Sequence, residues 1–139
     1  MPGWRNRSLG MQLYKYDIKG FLQWGFNYYN NRHSGSAINP YLDLCGDDWV
    51  PAGDMFFVYP ATDGAPLECT RGVVFYEGIQ DMLAMQLCEK YYDKSEIISA
   101  IEKIHGAPIV FDRCTYSSQE MLAIRGAVND MIAKAVECK

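Results

Sequence analysis

Residues 20–27, Gly20-Phe21-Leu22-Gln23-Trp24-Gly25-Phe26-Asn27, decide how the rest of the chain is read. Both alternating sets are apolar, Phe21 and Gly25 on one and Leu22, Trp24 and Phe26 on the other. That composition predicts a strand covered on both sides, as in a parallel sheet. At its C-terminal end hydrocarbon gives way to Trp24, Asn27 and Tyr28, and ligands of parallel α/β folds bind at that end. A second run, Met55-Phe56-Phe57-Val58-Tyr59-Pro60, repeats the design between Gly53-Asp54 and a long helix. Two such units point to part of an α/β barrel rather than a complete enzyme.

The flanking sequence supplies helices and one long connection. Leu9, Leu13 and Tyr16 share a face of a helix over about Asn6–Tyr16. A short turn, Asp17–Gly20, leads into the first strand. From about residue 28 to 53 the chain is irregular, with turn chemistry at Ser34-Gly35-Ser36, Asn39-Pro40 and Gly46-Asp47-Asp48. Its aromatics, Tyr28, Tyr29, Tyr41 and Trp49, predict a loop packed over a pocket. Thr62–Pro66 is a further turn. A helix over about Thr70–Tyr92 carries Phe75, Ile79, Leu83 and Leu87 as a stripe, widened by Met82 and Met85. Asp93 N-caps a shorter helix to about Ile104, which Gly106 ends. Ser117 and Glu120 form a capping box for a last helix with Met121, Ile124, Val128, Ile132 and Ala135 on one side. The order is helix, strand, long loop, strand, three helices. Two strands alone make no independent sheet, so the chain either oligomerises or forms the end of a longer α/β protein.

The totals narrow the function. The 139 residues fit one domain, whereas a complete eight-stranded barrel needs roughly 250. A net charge of −4 with no basic cluster predicts no nucleic-acid partner. No apolar stretch approaches the ~20 residues that span a bilayer, so no membrane partner is expected. No signal segment is visible, which favours a cytoplasmic chain as given and otherwise leaves the compartment open. The five cysteines, Cys45, Cys69, Cys88, Cys114 and Cys138, are odd in number and lack zinc-finger spacing. Free thiols in a reducing compartment are expected, with no metal and no cofactor.

Taken together, Gly20–Asn27, Pro51-Ala52-Gly53-Asp54, Val58-Tyr59-Pro60, Arg71 and Glu77-Gly78-Ile79-Gln80-Asp81 resemble a known series. It is the C-terminal part of the bacterial family called domain of unknown function 4091, related to the catalytic domain of glycoside hydrolase family 123. The similarity covers about residues 5–92 well and the rest loosely. It implies an α/β fold that is the C-terminal segment of a (β/α)8 TIM-type barrel, its last two strands, followed by a helical C-terminal region. Residues 1–92 would hold the strand-helix units and the pocket loop (about 28–53). Residues 93–139 would form a helical hairpin packed on them. Relatives in family 123 remove β-linked N-acetylgalactosamine and use the substrate's acetamido oxygen as nucleophile, an exception to the paired-carboxylate scheme. An adjacent Asp-Glu pair on an earlier strand serves that reaction. This chain has no Asp-Glu dipeptide, so the strand would lie upstream of Met1 and no catalytic residue is assigned here.

Three residues are candidates for an amino-sugar pocket. Trp24 offers an indole face to a pyranose, or else packs in a core. Asn27 can both donate to and accept from hydroxyls, or else ties down the next loop. Three residues apart, the two share a pocket only if the strand ends or bulges by Asn27. Tyr59, where Pro60 stops the ladder, offers a phenol to the acetamido group, or else is an interface tyrosine. Asp54 precedes its strand and is read as structural. Arg71 opposes the helix dipole, which predicts a carboxylate partner: Glu77, Asp81 or one from the loop. Glu77 and Asp81, four apart, suit salt bridges. Asp47-Asp48, the only adjacent carboxylate pair, could bind a cation or do acid/base work but sits in a Gly-rich turn and is read as structural; His33 and His105 have no triad around them. The alternatives to a partial hydrolase domain are a non-catalytic carbohydrate-binding or interaction module and an inactive truncated product.

Overall fold

The computed structural model describes residues 3–114 and 116–137; Cys138 lies outside them. Cys45, Cys69, Cys88 and Cys114 are free thiols. Residues up to Lys19 and from Val74 onward form one compact unit, and Gly20–Val73 forms a second. The fold is mixed α/β: among the described residues it has four α-helices and a two-stranded antiparallel sheet.

In the helical unit, α1 spans Trp4–Lys15, α2 Thr70–Cys88 (its first turn belongs to the second unit), α3 Lys94–His105 and α4 Ser118–Glu137. The helix ends follow local chemistry. The Glu96 carboxylate accepts from the Asp93 N–H at 3.0 Å at the start of α3. Gly106, at φ +74°, closes it and donates to the Glu102 carbonyl at 2.8 Å. At α4 the box is reciprocal: Ser117 N–H donates to Glu120 Oε2 at 2.7 Å, and Glu120 N–H to Ser117 Oγ at 3.2 Å. α2 stops at Cys88 rather than Tyr92. The N–H groups of Lys90 and Tyr91 turn back to Leu87 and Cys88, three residues earlier, which tightens the last turn.

The core joins all four helices: Met11 and Tyr14 of α1, Met85 and Cys88 of α2, Ile97 and Ile101 of α3, and Met121, Ile124 and Val128 of α4. Two stripes differ from the sequence reading. Leu13 of the expected α1 stripe is buried, but Tyr16, just past the helix end, is 44% exposed, and Met11 and Tyr14 also face inward. On α2, Leu83 and Leu87 are 47% and 42% exposed, and the buried positions are Gly78, Asp81, Ala84, Met85 and Cys88. Two contacts turn α2 this way. Asp81, 3% exposed, receives Arg7 Nε at 2.6 Å, Arg7 Nη2 at 3.0 Å and Arg125 Nη1 at 3.0 Å. Gly10 and Gly78 also bring α1 and α2 into backbone contact: a Cβ on Gly10 would strike the Gly78 carbonyl, and one on Gly78 the backbone of Arg7.

Lys15 and Glu102 lock the ends of α1 and α3. The ammonium donates to Glu102 Oε1 at 2.7 Å and to the Ile109 carbonyl at 2.8 Å, while Ile109 N–H donates to the same carboxylate oxygen at 2.9 Å. Burial opposes the Glu102 charge, yet the Lys15 and Ile109 hydrogen bonds outweigh it and hold its pKa below the usual 4.5.

In the second unit, β1 (Val58–Pro60) pairs antiparallel with β2 (Pro66–Glu68) in the register Val58↔Glu68, Tyr59↔Leu67, Pro60↔Pro66. β2 was not expected from sequence. The intervening turn closes with Ala61 N–H on the Ala65 carbonyl at 2.8 Å, with Gly64 at φ +84°. The run 20–27 is not a strand of a parallel sheet. It meets the second run through one antiparallel bridge, Asn27↔Phe56, with Phe57 N–H on the Phe26 carbonyl at 2.7 Å and Tyr28 N–H on the Met55 carbonyl at 3.1 Å. Nor are both faces covered: Leu22 is 88% and Phe26 58% exposed, while Gly25 is buried.

Three outcomes follow from these contacts. Gly78→Ala overpacks the α1–α2 contact and is expected to lower stability by about 2 kcal/mol or more in chemical denaturation. Asp81→Ala leaves two guanidinium groups without their carboxylate and is expected to cost about 3 kcal/mol, more than Arg125→Ala, whose side chain is 32% exposed. Because the folded-state pKa of Glu102 is depressed, its stabilisation is complete above the unfolded value of 4.5 and lost as pH falls through the lower folded value. Thermal stability should therefore fall below that pH, and less steeply in Lys15→Met.

Candidate functional site

The chemistry-bearing aromatics lie in Gly20–Val73. Met55 and Phe56, both fully buried, anchor its interior, and the chain around Asp54 is gripped by three consecutive residues. Gln23 Nε2 donates to the Asp54 carbonyl at 3.0 Å. The Trp24 indole N–H donates to Asp54 Oδ2 at 3.0 Å. Gly25 lies flat on the next peptide, where a Cβ would overlap the Asp54 carbonyl and Met55. The Trp-Gly and Gly-Asp pieces of the sequence are thus two sides of one joint.

Trp24 also belongs to a trio of rings. Its ring centroid is 5.5 Å from Trp49 at 61° and 5.7 Å from Tyr28 at 57°, and Tyr28 and Trp49 are 6.0 Å apart. These separations suit edge-to-face attraction. Trp24 and Trp49 remain 48% and 37% exposed, so indole surface is still open to solvent. Tyr28 Oη lies 2.7 Å from Ser34 Oγ and 3.2 Å from the Asn31 carbonyl, which ties the trio to the long loop.

Tyr59 belongs to a second cluster. Its ring is 5.1 Å from Phe56 and 5.2 Å from Tyr41, with the Arg71 guanidinium 6.0 Å from its centroid. Arg71 Nη2 donates to the Phe56 carbonyl at 2.6 Å and the group lies over the Phe56 ring at 5.6 Å. Its contacts are therefore a carbonyl and two π faces, where the sequence led us to expect a carboxylate. Gly53, at φ +82°, makes room for this guanidinium, since a Cβ there would run into it. Tyr29 and Tyr41 donate to the carbonyls of Val58 and Pro60, both at 2.7 Å. Burial raises the Tyr29 pKa, with smaller help from Tyr41 and Tyr59.

The three sequence candidates thus fall in different surroundings. Trp24 joins Tyr28 and Trp49, Tyr59 joins Tyr41, Phe56 and Arg71, and Asn27 is an exposed residue whose backbone bridges to Phe56. The two-face problem for Trp24 and Asn27 does not arise, because neither lies in a regular strand. Asp54 stands beside Trp24, its carboxylate accepting from the indole N–H. Trp49 was visible in sequence as a loop aromatic, but nothing local to residue 49 announces a partner 25 residues away.

The long loop is held by its own polar groups. Asp43 accepts the N–H groups of Cys45, Gly46 and Asp47 at 2.9, 2.9 and 3.0 Å, and those backbone bonds hold its pKa down. Gly46, Asp47 and Asp48 all have φ near +60°, so the adjacent carboxylates occupy a left-handed turn. His33 also has positive φ. His105 stacks on Tyr116 at 4.0 Å, with Nδ1 3.2 Å from Glu120. Among the described residues no three His, Cys, Asp or Glu side chains converge as a metal site.

No curated protein matches the chain. The family model described as glycoside hydrolase 123, catalytic domain, matches residues 1–88, which include α1, the whole Gly20–Val73 unit and α2. That is well over half of the sequence, and the chain belongs to the glycoside hydrolase 123 catalytic-domain family.

Proposed function

We propose that this chain contributes the sugar-contacting part of a glycoside-hydrolase domain that acts on an amino sugar such as β-linked N-acetylgalactosamine. The observation that carries the reading is the half-exposed Trp24 indole, fixed by Asp54 inside a matched catalytic-domain region. A fixed ring with an open face binds the C–H face of a pyranose without paying to order itself. Asn27 and Tyr59 would supply polar contacts, the amide to hydroxyls and the phenol to the acetamido group. The nucleophile would be the substrate's own acetamido oxygen, with acid and base groups from an adjacent Asp-Glu pair absent from these residues.

The exposed run Phe21–Phe26 supports the matching structural proposal, a terminal segment of a (β/α)8 barrel. Strand-type residues left open, Leu22 and Phe26 above all, are what such a segment presents before further strands and helices cover it. The absence of an Asp-Glu dipeptide favours a second reading, a carbohydrate-binding module without catalysis.

Titration of the purified chain with N-acetylgalactosamine, followed by tryptophan emission, should saturate, and Trp24→Ala should weaken binding about tenfold. Unchanged affinity in that variant would sink the pocket assignment. The same preparation should release no product from a chromogenic N-acetylgalactosaminide. Turnover by the isolated chain would instead place acid/base residues within it.

A further inference from the structure

The joint between Trp24 and Asp54 has no need of a carboxylate if it only holds the backbone together. Gln23 already bonds the Asp54 carbonyl, and Gly25 already packs on the Asp54–Met55 peptide. The Asp54 side chain adds one thing, an acceptor 3.0 Å from the indole N–H. An indole has a single polar atom, so a bond there restrains the ring's turning about χ1 and χ2. The ring fixed in this way is edge-on to Trp49, 5.5 Å away, and both rings keep solvent-facing surface.

From this we infer that Asp54 is a positioning residue, and that the Trp24–Trp49 pair it orients is a two-indole platform for the apolar face of a pyranose. The inference rests on the carbohydrate reading above and extends it to Trp49, which would contact the ring directly, and to Asp54, which would act only through Trp24. Edge-to-face indoles present two surfaces at an angle, so the platform is a corner that holds one ring on two sides. A single flat indole would let the ring slide.

Two readouts separate the parts. Paired indoles at this distance give an exciton couplet in the circular dichroism spectrum, with Trp4 as a constant background. Asp54→Ala should lose the couplet and weaken N-acetylgalactosamine binding about tenfold, the loss expected of one aromatic contact. Asp54→Asn keeps an oxygen acceptor for the indole N–H and should restore both. Trp49→Leu should abolish the couplet and weaken binding to a similar degree with Asp54 intact. A couplet and an affinity both unchanged in Asp54→Ala would overturn the positioning role. Loss in Asp54→Asn as deep as in Asp54→Ala would also overturn it, because charge and not acceptor geometry would then matter. Full affinity in Trp49→Leu would remove Trp49 from the platform. If the unaltered chain shows the couplet but no saturable sugar binding, the carbohydrate reading falls and the pyranose platform with it, while the couplet in the Asp54 variants still decides what Asp54 does.

Discussion

One buried carboxylate sets the helical unit. Asp81 takes two guanidinium groups, from Arg7 on α1 and Arg125 on α4, so a single side chain ties three helices. Its burial is tolerable only because both oxygens are paired; an ion at this depth without partners would cost several kcal/mol. The hydrogen bond to Asp81 correspondingly raises the Arg7 pKa, against the lowering effect of burial. The backbone contact at Gly10 and Gly78 places the guanidinium within reach, since side chains larger than hydrogen would hold α1 and α2 apart. Together these contacts fix the rotation of α2. Met85 and Cys88 then enter the core, and Leu83 and Leu87 are left facing out.

The second unit is organised differently, around peptide groups and aromatic rings. The sheet is only three residues per strand, too small to stand by itself. Order comes instead from side chains that bond main-chain carbonyls: Gln23 to Asp54, Arg71 to Phe56, Tyr29 to Val58 and Tyr41 to Pro60. Each of these satisfies a carbonyl that a wider sheet would have paired with a neighbouring strand. The rings that carry these hydroxyls, with Phe56 and Tyr59, then pack around the same backbone, so aromatic content has a structural use here as well as a proposed binding one.

Glycine links the two halves of the family motif. Gly25 admits the Asp54–Met55 peptide, and Gly53 admits the Arg71 guanidinium. Gly25 and Arg71 are thereby brought against one short segment, 53–55, with Trp24 and Asp54 side by side. Neither glycine is explained by its own neighbours in sequence. Both are explained by what approaches the missing Cβ.

The sequence by itself determined the local features. It placed all four helices, with the N-terminal box at Ser117–Glu120, the N-cap region at Asp93 and the left-handed Gly106, because caps and helical periodicity act over three to four residues. It also offered Trp24, Asn27 and Tyr59 as candidates for a pocket and carried the family resemblance. Only the tertiary structure decided what those residues touch. Whether Phe21–Phe26 is paired, which face of α2 is buried, and whether Arg71 meets a carboxylate or a carbonyl all depend on partners tens of residues away. An apolar run specifies that a strand wants cover but not in which direction its neighbour runs. An indole N–H specifies one hydrogen bond but not its acceptor. Those choices are made by which backbones can approach closely, and that depends on glycines whose purpose appears only when the opposing chain is in place.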